Sequence, residues 1–302
     1  MTALAALPYG VAMITAMKMG ASLAISVITR PKVPKYAGMD VNITDSAVAT
    51  ATIYGTAKIG GVVFFQETPG YPKTKLHRLI AVCPHEVEEF VSFHIADEEL
   101  VLDSNGNVTA GKYKNELRVV THLGADDQAY DEDLTINSEN LWTSSHRAYG
   151  VAYIYATFDF NMKVYSGGPP NILAVVKGKK IHDPRTPVSN PAYSSNSALC
   201  LRDYLLASRI AEEDELDDTS FAAAANICDE DVTLDAGGTE KRYSCDGFFP
   251  SDRKPMDVLN DIVLSMAGSL WYSQGKWVCK AGAYINPVLS LDEDDARGPM
   301  QI

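Results

Sequence analysis

The residues that could do chemistry are scattered along the chain. Ser144, Ser145 and His146 stand side by side, a hydroxyl next to an imidazole. Adjacent residues point in different directions, and a triad is assembled in space from separate segments. This spacing therefore does not predict catalysis. Five cysteines, Cys83, Cys200, Cys228, Cys245 and Cys279, are far apart and contain no C-x-x-C pair, which argues against a zinc site. An odd number of thiols in a chain of this size fits a reducing compartment at synthesis better than a disulfide framework. Most have apolar neighbours, as small buried residues do. Leu291–Asp295, LDEDD, lacks the Asp-x-Asp-x-Asp-Gly register of a calcium loop and reads as surface charge. Gly60–Gly61 is followed by neither Lys-Ser/Thr nor a helix, so a bulge or tight bend in a sheet is expected, not a phosphate cradle. Lys177–Gly178–Lys179 reads as a basic hairpin tip, either solvated or touching an acidic neighbour. No residue is assigned a catalytic, cofactor-binding or metal-binding role.

Bulk composition narrows the classes. A chain of 302 residues buries a large core and is expected to form two or more domains. The ordinary globular balance, 46% hydrophobic and 22% charged, makes disorder the wrong default. A formal charge of -13 disfavours a static grip on nucleic acid, because phosphate contacts need clustered Lys and Arg. It suits solubility, and also a wall past which DNA slides without sticking.

The elements come next. Ala3–Ile28 is apolar and rich in Ala, Met and Gly, and Val11–Thr29 carries one charge, Lys18. Its length nearly spans a bilayer. No positive charge precedes it, which weakens a signal peptide. Lys18 and the small residues weaken a membrane anchor. The third reading is a helix buried against partner subunits. Two prolines in Arg30–Pro34 end any helix. Strands are expected at Ile53–Phe65, Leu76–Val82, Phe90–Ile95, Leu117–His122 and Val151–Phe160, with a hairpin turn at Asn105–Gly106. In Val151–Phe160 both faces are apolar or aromatic, so this strand is sandwiched. Asp126–Arg147 is expected as an exposed acidic loop or short-helix excursion at a subunit contact. Thr186–Pro191 looks like a domain junction. Helices follow at Ser197–Ala207, with Leu201, Tyr204 and Leu205 inward, and after a cap at Asp218 or Thr219, with Phe221, Ala224, Ala225 and Cys228 on one face. Arg242–Pro287 then reads as strand, loop, helix and hairpin. Pro255 opens the helix, Val258, Leu259, Ile262, Val263 and Met266 form its stripe, and Gly268 sits at the left-handed cap position.

This last module, RYSCDG followed by MDVLNDIVLSMAG and LWYSQGKWVCKAGAY, resembles the tail tip or central hub proteins of lambda-like long-tailed phages, the tip attachment or host specificity family. Three other stretches match that family in the same order. They are IYGTAKIGGVVFF (Ile53–Phe65), LHRLIAV (Leu76–Val82) and ILAVVKGKKIHDPRT (Ile172–Thr186) followed by NPA at Asn190–Ala192. The likeness covers roughly Lys35 to the end. It implies an α+β, β-rich tail-hub fold with β-barrel-like domains plus small helix-on-sheet modules. The expected division is residues 1–34 as an apolar segment packing on partners, 35–190 as a β-rich hub region with the excursion near 126–147, and 191–302 as a helical plus α+β region. The resemblance also implies a homotrimer in the virion, at the distal end of the tail. There it caps the tube beside distal tail, tail tube and tape-measure proteins and other tip or receptor-binding proteins, with DNA present only in transit. It implies no cofactor and no enzyme activity. Many members continue into fibronectin-like and receptor-binding parts, whereas this sequence ends at Gly298–Ile302. Host recognition is then expected on another polypeptide, or on a longer form of this one. Two other classes remain in view from the residues alone, a tail-associated peptidoglycan hydrolase and a membrane-anchored interaction protein.

Overall fold

Gly178 and Gly55 decide how the strands cross. A Cβ on Gly178 would lie 2.2 Å from the Ile53 carbonyl oxygen, so only glycine lets the two backbones approach this closely. Gly55 takes φ +59° and hands its carbonyl to the Gly178 N–H at 2.7 Å. The structure, a computed structural model, describes residues 42–44, 49–186 and 190–284. All of them belong to one unit spanning residues 38–302. The apolar stretch Ala3–Ile28, the Arg30–Pro34 link and the acidic run Leu291–Asp295 lie outside the described residues.

The strands are β1 (Asn42–Ile43), β2 (Ala51–Tyr54), β3 (Thr56–Ile59), β4 (Gly61–Glu67), β5 (Lys75–Cys83), β6 (Val87–Ile95), β7 (Glu98–Glu99) and β8 (Leu117–His122). Helix α1 (Glu132–Asn137) precedes β9 (Ala152–Asp159), β10 (Leu173–Ile181) and β11 (Ala192–Tyr193). Then come α2 (Ser197–Ala207), α3 (Asp218–Cys228), β12 (Asp231–Thr233), β13 (Thr239–Lys241), β14 (Gly247–Pro250), α4 (Pro255–Ser265), β15 (Ser269–Ser273) and β16 (Lys276–Lys280). The fold is α+β and strand-rich. One sheet runs β1-β4-β5-β9-β8; the other runs β11-β10-β6-β7, with β3 also paired to β10. Among the described residues neither sheet closes on itself, so the barrel-like region expected from the resemblance is an open pair of sheets.

The inner faces of the two sheets share a core. Ile80, Val82, Val119, Ile154 and Phe158 meet Ile59, Val87, Phe93, Ala174 and Val176. Asn42 fastens β1 to the start of β10 through paired bonds, Nδ2 to Ile172 O at 2.9 Å and Ile172 N–H to Oδ1 at 2.7 Å. A second core gathers α2, α3, α4 and the β15–β16 hairpin around Leu199, Leu201, Leu205, Phe221, Val258 and Ile262. Tyr54 and Phe249, on paired strands β2 and β14, belong to this core. Ile53 and Phe248, their neighbours, belong to the first. Alternation along two strands thus ties the cores together.

Three expectations are corrected. Lys177–Lys179 is no hairpin tip but the interior of β10, and its acidic partners are in its own chain. Lys177 pairs with Glu89 at 2.7 Å, Lys179 with Asp203 at 2.6 Å and Lys180 with Glu86 at 2.8 Å. A glycine between lysines looks like a turn, but here it serves a strand crossing. At the end of α4 it is Ala267, φ +47°, that takes the left-handed position. Gly268 is small because a Cβ would sit 2.4 Å from Lys280 O. The residue before α3 is Asp217, while Asp218 lies in the first turn and pairs with Arg202. Residues 126–147 do form a mostly exposed short-helix excursion, α1, and Leu134 and Trp142 are its buried anchors on the sheet. The hairpin expected at the end of the module forms as β15–β16, turning at Gln274 and Gly275 with φ +53° and +81°.

Candidate functional site

Three polar clusters and one cleft hold the chemically interesting groups. The first cluster lies on the outer face of the β4–β5–β9–β8 sheet, under residues 124–150. Gln128 closes the neck of this segment. Its Oε1 accepts from Gly124 N–H at 2.7 Å, and its Nε2 donates to Arg147 O at 3.1 Å and Ala148 O at 2.9 Å. Asp131 caps α1, Oδ1 accepting from Leu134 N–H at 2.7 Å. Its other oxygen lies 2.9 Å from His122 Nε2, and the His122 ring stacks on Tyr153 at 4.3 Å. Beside them His77 Nδ1 lies 2.7 Å from Tyr155 OH. Burial, with Lys75 adding to it, holds the His77 imidazole below its ordinary value. Burial raises the Tyr155 hydroxyl to about 12. Among the described residues Tyr153 OH and Trp142 Nε1 are buried without a hydrogen-bond partner.

The second cluster joins the two cores. Tyr54 OH donates to Asp203 Oδ2 at 2.5 Å, and Lys179 Nζ donates to the same oxygen at 2.6 Å. Burial raises Tyr54 well above the ordinary tyrosine value, with Asp203 contributing. The third cluster is Arg185, which donates to Asp183 at 2.7 Å and to Asp229 at 2.7 Å and so staples the end of α3 to the β10 exit. These groups are spent on each other. Each carboxylate faces a cation or a backbone N–H, an arrangement that fixes segments in place.

His85 is spent likewise. Its Nε2 accepts from Ile53 N–H at 3.1 Å and its Nδ1 donates to Glu86 O at 2.9 Å, which defines the neutral ring. Burial lowers its pKa. All five cysteines are free and buried, so their expected character holds. Burial raises the thiols of Cys83 and Cys279 to about 12 and Cys228 to about 11, and burial with Cys245 beside it also raises Cys200. Such thiols carry no thiolate to react. A cleft of about 530 Å³ between Thr50, Val62, Phe64, Ala81, Val151 and Phe248 is lined mostly by apolar side chains, and among the described residues Cys83 is its one titratable group.

Ser144, Ser145 and His146 are not brought together as a catalytic set. His146 Nδ1 accepts from Thr143 N–H at 3.0 Å and its ring packs on Trp142 at 5.0 Å. No hydrogen bond joins either serine hydroxyl to it among the described residues. Among those residues no group of three or more His, Cys, Asp or Glu could hold a metal ion. No helix among them is long and apolar enough to cross a membrane. Sequence reasoning missed the Tyr54–Asp203–Lys179 cluster and the His122–Asp131 pair. Each partner comes from a different segment, and alternation within β2 and β8 tells only that Tyr54 and His122 lie on the faces opposite Ile53 and Val119.

Two comparisons bear on this arrangement. No protein-family model matches the chain. One chain of a solved structure, described as the virion of a native gene transfer agent particle, aligns with 97% of this chain and 69% of its own length, at a TM-score of 0.54 and 14% identity. At that identity the likeness is one of fold.

Proposed function

We propose that the chain is a structural, non-enzymatic subunit of a phage-like virion and serves as the central hub at the distal end of the tail. In this reading three copies form a ring that caps the tail tube and holds the end of the tape-measure protein. The ring opens when a receptor is engaged, and tape measure and DNA then pass through. Distal tail, tail tube and other tip or receptor-binding proteins are its neighbours. Residues 1–34 pack on them, while 35–190 and 191–302 form the body of the hub.

The observation that carries this reading is the fold likeness, over 97% of the chain, to a chain of the gene transfer agent virion. The four resembling stretches support the tail-tip assignment. They fall on β2–β4, β5, β10 and the α4–β16 module, the elements that build both cores and join them. Ionisable groups committed to internal pairs, and an apolar cleft whose titratable group among the described residues is the buried thiol of Cys83, favour a building block over a catalyst. The net charge of -13 suits a lumen that DNA traverses, since like charge shortens residence on the wall.

The test is assembly. Light scattering on the full chain, mixed with tail tube protein, is expected to give a mass of three chains. Electron microscopy of particles is expected to place antibody-labelled protein at the tail end. A monomer that never co-purifies with tails sinks the proposal. A clear lytic band in a peptidoglycan zymogram moves the assignment to a tail-associated hydrolase.

A further inference from the structure

Three loops meet at one end of the first sheet: residues 68–74 between β4 and β5, 110–116 ahead of β8, and 160–171 between β9 and β10. The strand ladder brings them together. Lys75 stands opposite Asp159 and Leu117 opposite Phe158. Phe160 N–H donates to Thr74 O at 2.6 Å, and Asp159 N–H to Glu116 O at 2.9 Å. Side chains brace the loops. Asn161 Nδ2 donates to Glu116 Oε1 at 2.8 Å, Tyr165 OH donates to Glu116 O at 2.7 Å, and the Tyr165 ring stacks on Tyr113. Gly70 N–H donates to Glu139 Oε1 at 3.0 Å.

On this braced end large apolar side chains face water. Tyr71 is 99% exposed, and Phe160 and Met162 are 68% exposed each. Lys73, Lys112, Lys114 and Lys163 are exposed around them. Among the described residues none of the four makes an ion pair; Lys112 Nζ lies over the Tyr113 ring at 5.3 Å. Of the acids at this end, one is paired with a cation and two accept a hydrogen bond from a neutral N–H. Asp159 pairs with Lys75, Glu116 accepts from Asn161 and Glu139 from Gly70, while Glu98 lies beside Gly111. Residues 68–74 and 160–171 contain no Asp or Glu, in a chain whose net charge is -13.

This is the chemistry of a surface that enters a headgroup layer. Apolar ends leave water, and lysine ammonium groups settle on anionic headgroups with their stems along the interface. A soluble polyanion would account for the lysines but would leave Tyr71, Phe160 and Met162 in water. We propose that this end of the molecule is a lipid-docking tip, which inserts Tyr71, Phe160 and Met162 into an anionic membrane surface. The inference stands apart from the hub reading, because vesicle binding requires no particle.

The full chain is floated with vesicles of equal parts phosphatidylglycerol and phosphatidylcholine, and with phosphatidylcholine alone. Binding to the anionic vesicles that weakens with salt is expected. Phe160→Ser with Met162→Ser, and separately Lys73→Glu with Lys163→Glu, are each expected to lower it more than about tenfold. Because these side chains are exposed, the circular dichroism and urea midpoint should not move. Four results overturn the proposal. They are no binding, binding that survives both variants, binding lost only with the lysines (a soluble-polyanion patch), or an apolar variant that changes the oligomer mass and leaves vesicle binding intact (a contact between copies). An image that places the chain elsewhere on a particle sinks the hub and leaves the tip untouched.

Discussion

Strand β9 has two faces, and they are built on different physics. Ala152, Ile154, Ala156 and Phe158 face the other sheet in a core of aliphatic and aromatic carbon. Tyr153 and Tyr155 face the opposite way, into a layer of His77, His122, Asp131 and Trp142 covered by residues 124–150. The inner face gains from area removed from water, and its cost function is volume. The outer face also buries aromatic area, but its geometry is set by hydrogen bonds, and two polar atoms there go without. The comparison teaches that a strand apolar on both sides need not be equivalent on both sides. One face holds the fold together and the other holds a loop in place.

Emptying the inner face should cost the most. Ile154 has no exposed surface, and Ile154→Ala is expected to lower unfolding free energy by about 2–5 kcal/mol, read from urea midpoints. A loss well below 1 kcal/mol would mean the sheets collapse onto the gap, and the contrast between the faces would fail. Asp131→Ala attacks the outer face through its cap. It leaves Leu134 N–H and His122 Nε2 without their acceptor, at an expected cost of about 1–2 kcal/mol. Amide exchange should then quicken in residues 131–138 and not in β10. Uniform quickening would mean the covering segment is part of the global core.

The helical region was legible because its information is local. Ser197–Ala207 and the Phe221, Ala224, Ala225, Cys228 stripe follow from spacing within one element, and the structure keeps both. The sandwiched character of β9 followed from alternation in the same way. The misreadings share the opposite cause. Gly178 is glycine because Ile53, 125 positions away in sequence, passes over it, and Gly268 because of Lys280. The excursion at 126–147 is exposed and carries a short helix, as expected, but its anchors were hidden, because Leu134 and Trp142 have to find Tyr153 and Tyr155. The exposed loop end with Tyr71, Phe160 and Met162 was invisible for the same reason, since its parts meet only through the ladder between β5 and β9.

Acid should separate the faces next. His77 and His85 have folded pKa values below their unfolded ones, so the unfolded chain takes up protons that the folded chain refuses. Stability is therefore full above the unfolded value, near 6.5, and falls as pH drops through and below it. For His85 the geometry agrees, because a proton on Nε2 displaces the Ile53 N–H. Urea midpoints at pH 7.5 and 5.5 are expected to differ, and His77→Gln to flatten the difference. A midpoint that is constant or rises on acidification contradicts the buried, neutral imidazoles.

The finest test removes one oxygen at a time from the outer face. Tyr155 OH partners His77, so Tyr155→Phe leaves a buried ring nitrogen unpaired and should cost about 1 kcal/mol. Tyr153 OH has no partner among the described residues, and burial has already raised its pKa. Tyr153→Phe gives up no hydrogen bond and sheds a desolvated hydroxyl, while the ring keeps its stack on His122. Its midpoint should stay level or rise slightly. If instead Tyr153→Phe costs as much as Tyr155→Phe, then a bound water or a neighbouring chain satisfies that hydroxyl in solution. The outer face would then be a surface shared with something else.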